Sequence, residues 1–330
     1  MTLPQREKDV VLYPFCLVRL THSLEGILIT VMRCGTFKEP GLCRNDQIQL
    51  LEADLKDHIR KEEAGYSGKR QGEGSLWHHL VRVAHLAEKL GRSEGLDPAV
   101  CRLAGLFHDA GKFSDGTYHQ GDRPEEERSV ELLIEYAGRY GLNQQIVDDI
   151  SRAFGQLYRD EAHPSALTRV LFDADNLDKL GSLGIANYFV KSGLKGNGIS
   201  PDSLYRLTAE LTYARHAPAC MATPAGYELA SRKAPETYQF ILNLLKSLRD
   251  DGIFNFSVEA VTFDHLILDV VSPSECECRA DLQRRLWKVK GVKCLEIHVE
   301  HFCPHCESRH EIRFCTPKLR ARRPEGDVAV

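Results

Sequence analysis

Four side chains in separate stretches of the chain are of the types that bind a divalent cation. They are His79 in SLWHHLVRVAHLAEKLG, the adjacent His108 and Asp109 in LAGLFHDAGKF, and Asp175 in RVLFDADNLDKLG. Two imidazoles with two carboxylates form a mixed nitrogen and oxygen set, which suits Mn, Fe, Co, Ni or Mg better than a sulfur-preferring ion. A cation held this way activates water and polarises a phosphoryl oxygen. Each residue alone has an ordinary explanation: an interior histidine, a helix-end residue near Gly111, a capping carboxylate. All of these together are less expected than one metal site. The 3.6-residue period separates His79 from its neighbours, because the apolar face of its helix runs through Leu76, Leu80, Val83, Ala84 and Ala87. His79 lies at the edge of that face, whereas His78 and His85 point the opposite way.

A second group is chemically different. Of 11 cysteines, Cys16, Cys34, Cys43, Cys101 and Cys220 are scattered, while six lie between Cys276 and Cys315. Cys303-Pro304-His305-Cys306 sits between alternating stretches, as a knuckle at a hairpin tip does, and Cys276 and Cys278 lie upstream. These four thiolates are expected to hold structural zinc, which prefers sulfur and closes a tetrahedral shell. His298, His301, His305, His310, Cys294 and Cys315 are available substitutes. An odd, clustered cysteine set without a visible signal peptide is expected of a reducing, cytoplasmic setting rather than a secreted disulfide framework.

These residues need elements to position them. The periodicity predicts a helix from Asn45 through Ile48, Leu51, Leu55 and Ile59, then helices near 75–91, 97–110, 125–140, 143–157, 165–193, 202–216 and 226–250. After Asp251-Gly252 the pattern alternates, in Phe254, Phe256 and Val258, in Phe263, Leu266, Leu268 and Val270, and in 294–299 and 310–314, with a short helical stretch at 280–288. The expected division is an N-terminal arm at 1–44, a hairpin being one of its readings, a helical domain at 45–250, a β-rich Cys/His metal-binding domain at 251–317 and a basic tail at 318–330. The fold class is therefore mainly α, followed by a small, zinc-stabilised α+β domain.

The chain has 330 residues, 42% of them hydrophobic and 27% charged, and a net charge of -4, which excludes a disordered or fibrous protein and a wholly basic nucleic-acid trap. The longest early apolar run, 24–32, falls far short of the roughly 20 residues of a membrane span.

The order His79, His108-Asp109, Asp175, with Arg82 after the first histidine, Gly111-Lys112 after the pair and DADNLD closing the set, resembles the HD-domain metal-dependent phosphohydrolases over residues 50–188. The resemblance implies an all-helical fold, with His79, His108, Asp109 and Asp175 as ligands. Asp175 is preferred to Asp173 because the last ligand of that family lies three residues before a polar residue, here Asp178. Lys112 and Arg82 would neutralise charge on a substrate phosphate, and Asp178 would act as general acid or orient a ligand. The further histidines of two-metal members have no counterpart, since Glu125-Glu126-Glu127-Arg128-Ser129 and Ala153 stand in those places, so one ion is expected. The implied activity is metal-dependent hydrolysis of a phosphoester or phosphoanhydride in a phosphorylated small molecule, a nucleotide or its like. The alternative is a nucleotide-sensing or nucleic-acid-binding signalling protein, or a nuclease, in which residues 276–323 engage nucleic acid or a protein.

Overall fold

The computed structural model describes residues 12–13, 16–23, 26–32, 45–67, 75–113, 125–157, 163–194, 198–264, 266–273, 278, 280–290 and 295–315. Cys276, Cys294, His119 and the tail at 318–330 lie outside them. Three strands come first: β1 (Leu12–Tyr13), β2 (Cys16–Ser23) and β3 (Gly26–Met32). They pair antiparallel, so the hairpin is the arrangement found within the 1–44 segment.

The helices are α1 (Asn45–Ser67), α2 (Ser75–Ser93), α3 (Pro98–Phe107), α4 (Glu125–Tyr140), α5 (Gln144–Gln156), α6 (Ala166–Leu177), α7 (Gly181–Leu194), α8 (Pro201–Tyr205), α9 (Leu207–Cys220) and α10 (Pro224–Asp250). Two expected helices are divided. The 165–193 stretch breaks after Leu177 and restarts at Gly181, whose φ of 79° is the left-handed conformation that glycine adopts without strain. The 202–216 stretch becomes a short α8, closed at its start by a Ser200–Ser203 capping box, and a separate α9.

The stretch expected to be helical at 280–288 is a strand, β6 (Gln283–Lys290). It pairs along its length with β7 (Leu295–Phe302), which also pairs with β8 (Arg309–Cys315). The ladder satisfies the backbone while Leu286 packs onto the core and Arg285 and Trp287 face the other way, a period of two that a brief charged segment conceals. Strands β4 (Phe256–Phe263) and β5 (Leu266–Pro273) form a separate antiparallel pair. The chain is thus mainly α with small antiparallel sheets.

Two clusters of buried side chains organise the packing. The first joins α1 to α6 through Leu51, Leu80, Leu106, Leu132, Ile150 and Leu171, and includes Ile48, Leu55 and Ile59 of α1 as expected. The second joins Ile185, Leu207, Leu211 and Ile241 of α7, α9 and α10 to Leu268, Val270, Ile297, Val299 and Ile312 of the strands. Helices and strands therefore share that core. Asp269 of β5 is buried there and takes two bonds from Arg215 of α9, at 2.7 and 2.6 Å. No helix among the described residues is long and apolar enough to cross a membrane.

Candidate metal centre

The centre is built where α2, α3 and α6 meet. Helices α2 and α3 approach so closely at Gly105 that a Cβ there would stand 2.5 Å from Ala84 Cα. That approach sets His79 of α2 beside His108, which follows α3 directly, with ring centroids 5.2 Å apart. His79 is buried, while His78 and His85 are exposed, as the helical period predicts.

Each imidazole is held by one nitrogen and presents the other. His108 Nδ1 donates to the Gly105 carbonyl at 2.8 Å, which leaves its Nε2 as the acceptor nitrogen. That Nε2 is buried and has no hydrogen-bond partner among the described residues. His79 Nδ1 donates to Asp178 Oδ2 at 2.9 Å, and its Nε2 faces Asp109 Oδ2 and Asp175 Oδ1, each 3.7 Å away. His108 Nε2 lies 3.8 Å from Asp109 Oδ2. Ligand atoms of His79, His108 and Asp175 all lie within 4.8 Å of one another. With metal–ligand bonds of about 2.1 Å, neighbouring donors stand roughly 3 to 3.5 Å apart, so the 3.7 and 3.8 Å pairs need to close by a few tenths of an ångström and the widest pair by roughly 1 to 2 Å.

The choice between the two aspartates of α6 has a structural basis. Asp173 accepts from Ala222 N, Thr223 N and Thr223 Oγ1 at 2.7, 2.8 and 2.6 Å, which ties it to the start of α10. Asp175 turns to the histidines, with Lys179 Nζ on its other oxygen at 2.9 Å.

The electrostatics favour positive charge in the pocket. Burial alone would lower the pKa of His79, but hydrogen bonding to Asp109 and Asp178 outweighs it and the net shift is upward. A proton or a cation at Nε2 would satisfy the same field. Burial pushes His108 down, toward the neutral form that coordinates metal. Burial would raise Asp109, yet His108, Lys112 and His79 hold it well below the usual carboxylate range.

The remaining expected site residues are placed as follows. Lys112 Nζ bonds Asp109 Oδ2 at 2.7 Å. Arg82 is engaged by Asp178 through Nε and Nη2, so its guanidinium braces that carboxylate instead of pointing freely at a substrate. Asp178 thereby takes the orienting place behind His79. Glu125, Glu126 and Glu127 occupy the first turn of α4, where carboxylates complement the helix dipole. Cys278, Cys303 and Cys306 come together in a second cluster, while Cys276 lies outside the described residues.

Two contributors escape a reading of the sequence. Lys179 reaches Asp175 across four residues, a spacing visible in DNLDK but common by chance. Ser129 of α4 accepts from Gly111 N at 3.0 Å and donates to the His108 carbonyl at 3.3 Å, so it braces the turn that carries His108 and Asp109. Nothing local marks a serine 18 residues from its partner.

Residues 76–180 match the family described as HD domain. The uncharacterized protein YpgQ of Bacillus subtilis is 26% identical over 190 residues, covering 55% of this chain and 86% of that protein. Ribonuclease Y of Thermus thermophilus is 41% identical over 73 residues, which is 22% of this chain and only 12% of that enzyme. Among solved structures, Bacillus subtilis YpgQ in complex with ADP aligns at 25% identity with a TM-score of 0.43, covering 60% of this chain and 96% of that one. An HD-superfamily hydrolase of Bacillus thuringiensis aligns at 23% identity with a TM-score of 0.42, covering 62% and 97%. The HD-domain match spans His79, His108, Asp109 and Asp175, and ends before α7.

Proposed function

We propose that the chain is a metal-dependent phosphohydrolase acting on a phosphoester or phosphoanhydride of a small molecule such as a nucleotide, in the cytoplasm. The observation that carries this reading is the buried, unpartnered Nε2 of His108, aimed at the point where His79 Nε2, Asp109 and Asp175 also converge. His79, His108, Asp109 and Asp175 would hold one divalent ion (Mn, Mg, Co, Ni or Fe). Such an ion supplies Lewis acidity for attack by water on phosphorus.

The protein's own groups do the rest. Asp178 and Arg82 fix the tautomer and angle of His79. Lys179 sits on the outer oxygen of Asp175 and Lys112 on the Asp109 oxygen that faces the histidines, where their charge offsets that of a bound phosphate and of the transition state. Asp109 stands close enough to both histidines to orient the attacking water.

The test is phosphate release from a panel of phosphorylated metabolites with each divalent metal. Release that needs the ion and disappears in His108→Ala and Asp109→Ala supports the proposal; release unaffected by both refutes it. The nuclease reading draws on the local likeness to ribonuclease Y. Metal-dependent cleavage of labelled RNA in preference to every small phosphate, with salt-dependent binding through 276–323, would favour it.

A further inference from the structure

Cys278, Cys303 and Cys306 gather at one end of the β6–β8 sheet and are not used by the phosphohydrolase reading. Strand β7 ends at Phe302, and the chain reverses through Cys303, Pro304, His305 and Cys306 before β8 begins at Arg309. The reversal is closed by Cys303 N donating to the Ser308 carbonyl at 2.9 Å and by Glu307 N donating to the Cys303 carbonyl at 3.0 Å. Glu307 takes a φ of 62°, which lets the chain fold back immediately after Cys306. The backbone N–H of Cys306 points at Cys303 Sγ from 3.5 Å.

Cys278 arrives from the segment between β5 and β6. Its Sγ stands 3.5 Å from Cys303 Sγ, and the three sulfurs all lie within 4.8 Å of one another. Two thiolates on a tetrahedral zinc ion, with bonds of about 2.3 Å, stand roughly 3.8 Å apart. Cys303 is buried, at 1% exposure, while Cys278 and Cys306 lie at the surface. The cluster thus has one buried ligand and two solvent-facing ones, of which Cys278 comes from a separate segment and Cys306 from the same reversal as Cys303.

We propose that Cys278, Cys303 and Cys306 ligate a structural zinc ion that ties the segment entering β6 to the tip of the β7–β8 hairpin. Soft thiolates select zinc over the hard cations suited to His79, His108 and Asp175, so the two centres are loaded independently. The mechanical consequence lies in the β6–β8 sheet. Its inner face contributes Leu286, Ile297, Val299 and Ile312 to the second core, but among the described residues it has only three strands. A cross-link between the start of β6 and the opposite hairpin adds metal-binding free energy to its folding.

The experiment uses the full chain, purified under reducing conditions from zinc-supplemented medium. About one zinc per chain is expected to survive brief chelation and to be released as a mercurial titrates the thiols. Cobalt substituted at this site is expected to show thiolate-to-metal charge transfer and the intense visible bands of tetrahedral coordination. Cys306→Ser and Cys278→Ser, both at the surface, are expected to weaken these signals while leaving the far-ultraviolet helix signal intact. The spectrum of the unmutated protein stands even if a variant fails to fold. Native thiols that react at once with release of no metal would overturn the proposal. So would a Cys278–Cys303 disulfide in the folded protein, or a bound cobalt lacking the sulfur charge-transfer band.

Discussion

Arg82 and Asp178 form a two-point ion pair, Nε to Oδ1 at 2.6 Å and Nη2 to Oδ2 at 3.0 Å, and the same Oδ2 accepts from His79 Nδ1 at 2.9 Å. Burial would raise the Asp178 carboxyl, but the His79 and Arg82 bonds outweigh it and keep the group ionised. The chain Arg82–Asp178–His79 therefore delivers an imidazole with its proton on Nδ1 and a lone pair on Nε2. Partners of this kind contribute about 10- to 100-fold to metal affinity. Asp178→Asn is expected to weaken metal binding by that order with little loss of helix content, and Arg82→Ala by less. Metal titration followed calorimetrically, alongside circular dichroism, checks both; affinity unchanged in Asp178→Asn would refute the orienting role.

Asp173 and Asp175 are two residues apart and should fail differently. Asp173→Ala removes three bonds at the start of α10 and is expected to cost about 2–3 kcal/mol of stability. Asp175→Ala is expected to abolish metal-dependent activity while the melting temperature changes little. Thermal melts paired with phosphate-release assays distinguish the two.

Gly105 and Gly138 make a second contrasting pair. Gly105→Ala places a methyl 2.5 Å from Ala84 Cα, so α2 and α3 must separate, at about 1–3 kcal/mol. Because that contact spaces His79 from His108, metal affinity should fall with stability. Gly138 in α4 is exposed and has nothing within 4 Å of the added methyl, so Gly138→Ala should stabilise by about 0.5–1 kcal/mol. Denaturant titration of both variants is the measurement.

Glu210 of α9, which is not itself one of the proposed metal ligands, supplies a pH test. Burial raises its pKa from 4.5 to about 7, against the opposing pull of Lys179 and Lys191. Between these two values the folded state binds more protons than the unfolded one, so stability falls as pH rises from 4.5 to 7 and stays reduced above. Glu210→Gln is expected to be more stable than the parent at pH 8, by roughly 1–3 kcal/mol given its partial exposure. The difference should vanish near pH 4.5. Melting curves across that range check the sign, and a variant less stable at pH 8 would contradict it.

The helical half was readable because amphipathic helices advertise themselves. Ile48, Leu51, Leu55 and Ile59, or Leu80, Val83, Ala84 and Ala87, repeat at a spacing only a helix can bury on one side. The same period put His79 inward and His78 outward. Where the text misled, local pattern was outvoted by long-range pairing: 280–288 carries too few apolar residues to betray a strand until β7 lies beside it.

The amino-acid sequence by itself determined which residues were available for metal chemistry, because ligand type and helical phase are local properties. Convergence was another matter. That His108 is pinned by Gly105, that Asp178 is clamped by Arg82, and that Asp173 serves α10 while Asp175 serves the metal site depend on partners 3, 96 and about 50 positions away. Only packing of α2, α3, α6 and α10 decides such pairings. Each is selected by the cost of leaving a buried polar atom unsatisfied, and no window along the chain contains both ends of the longer ones.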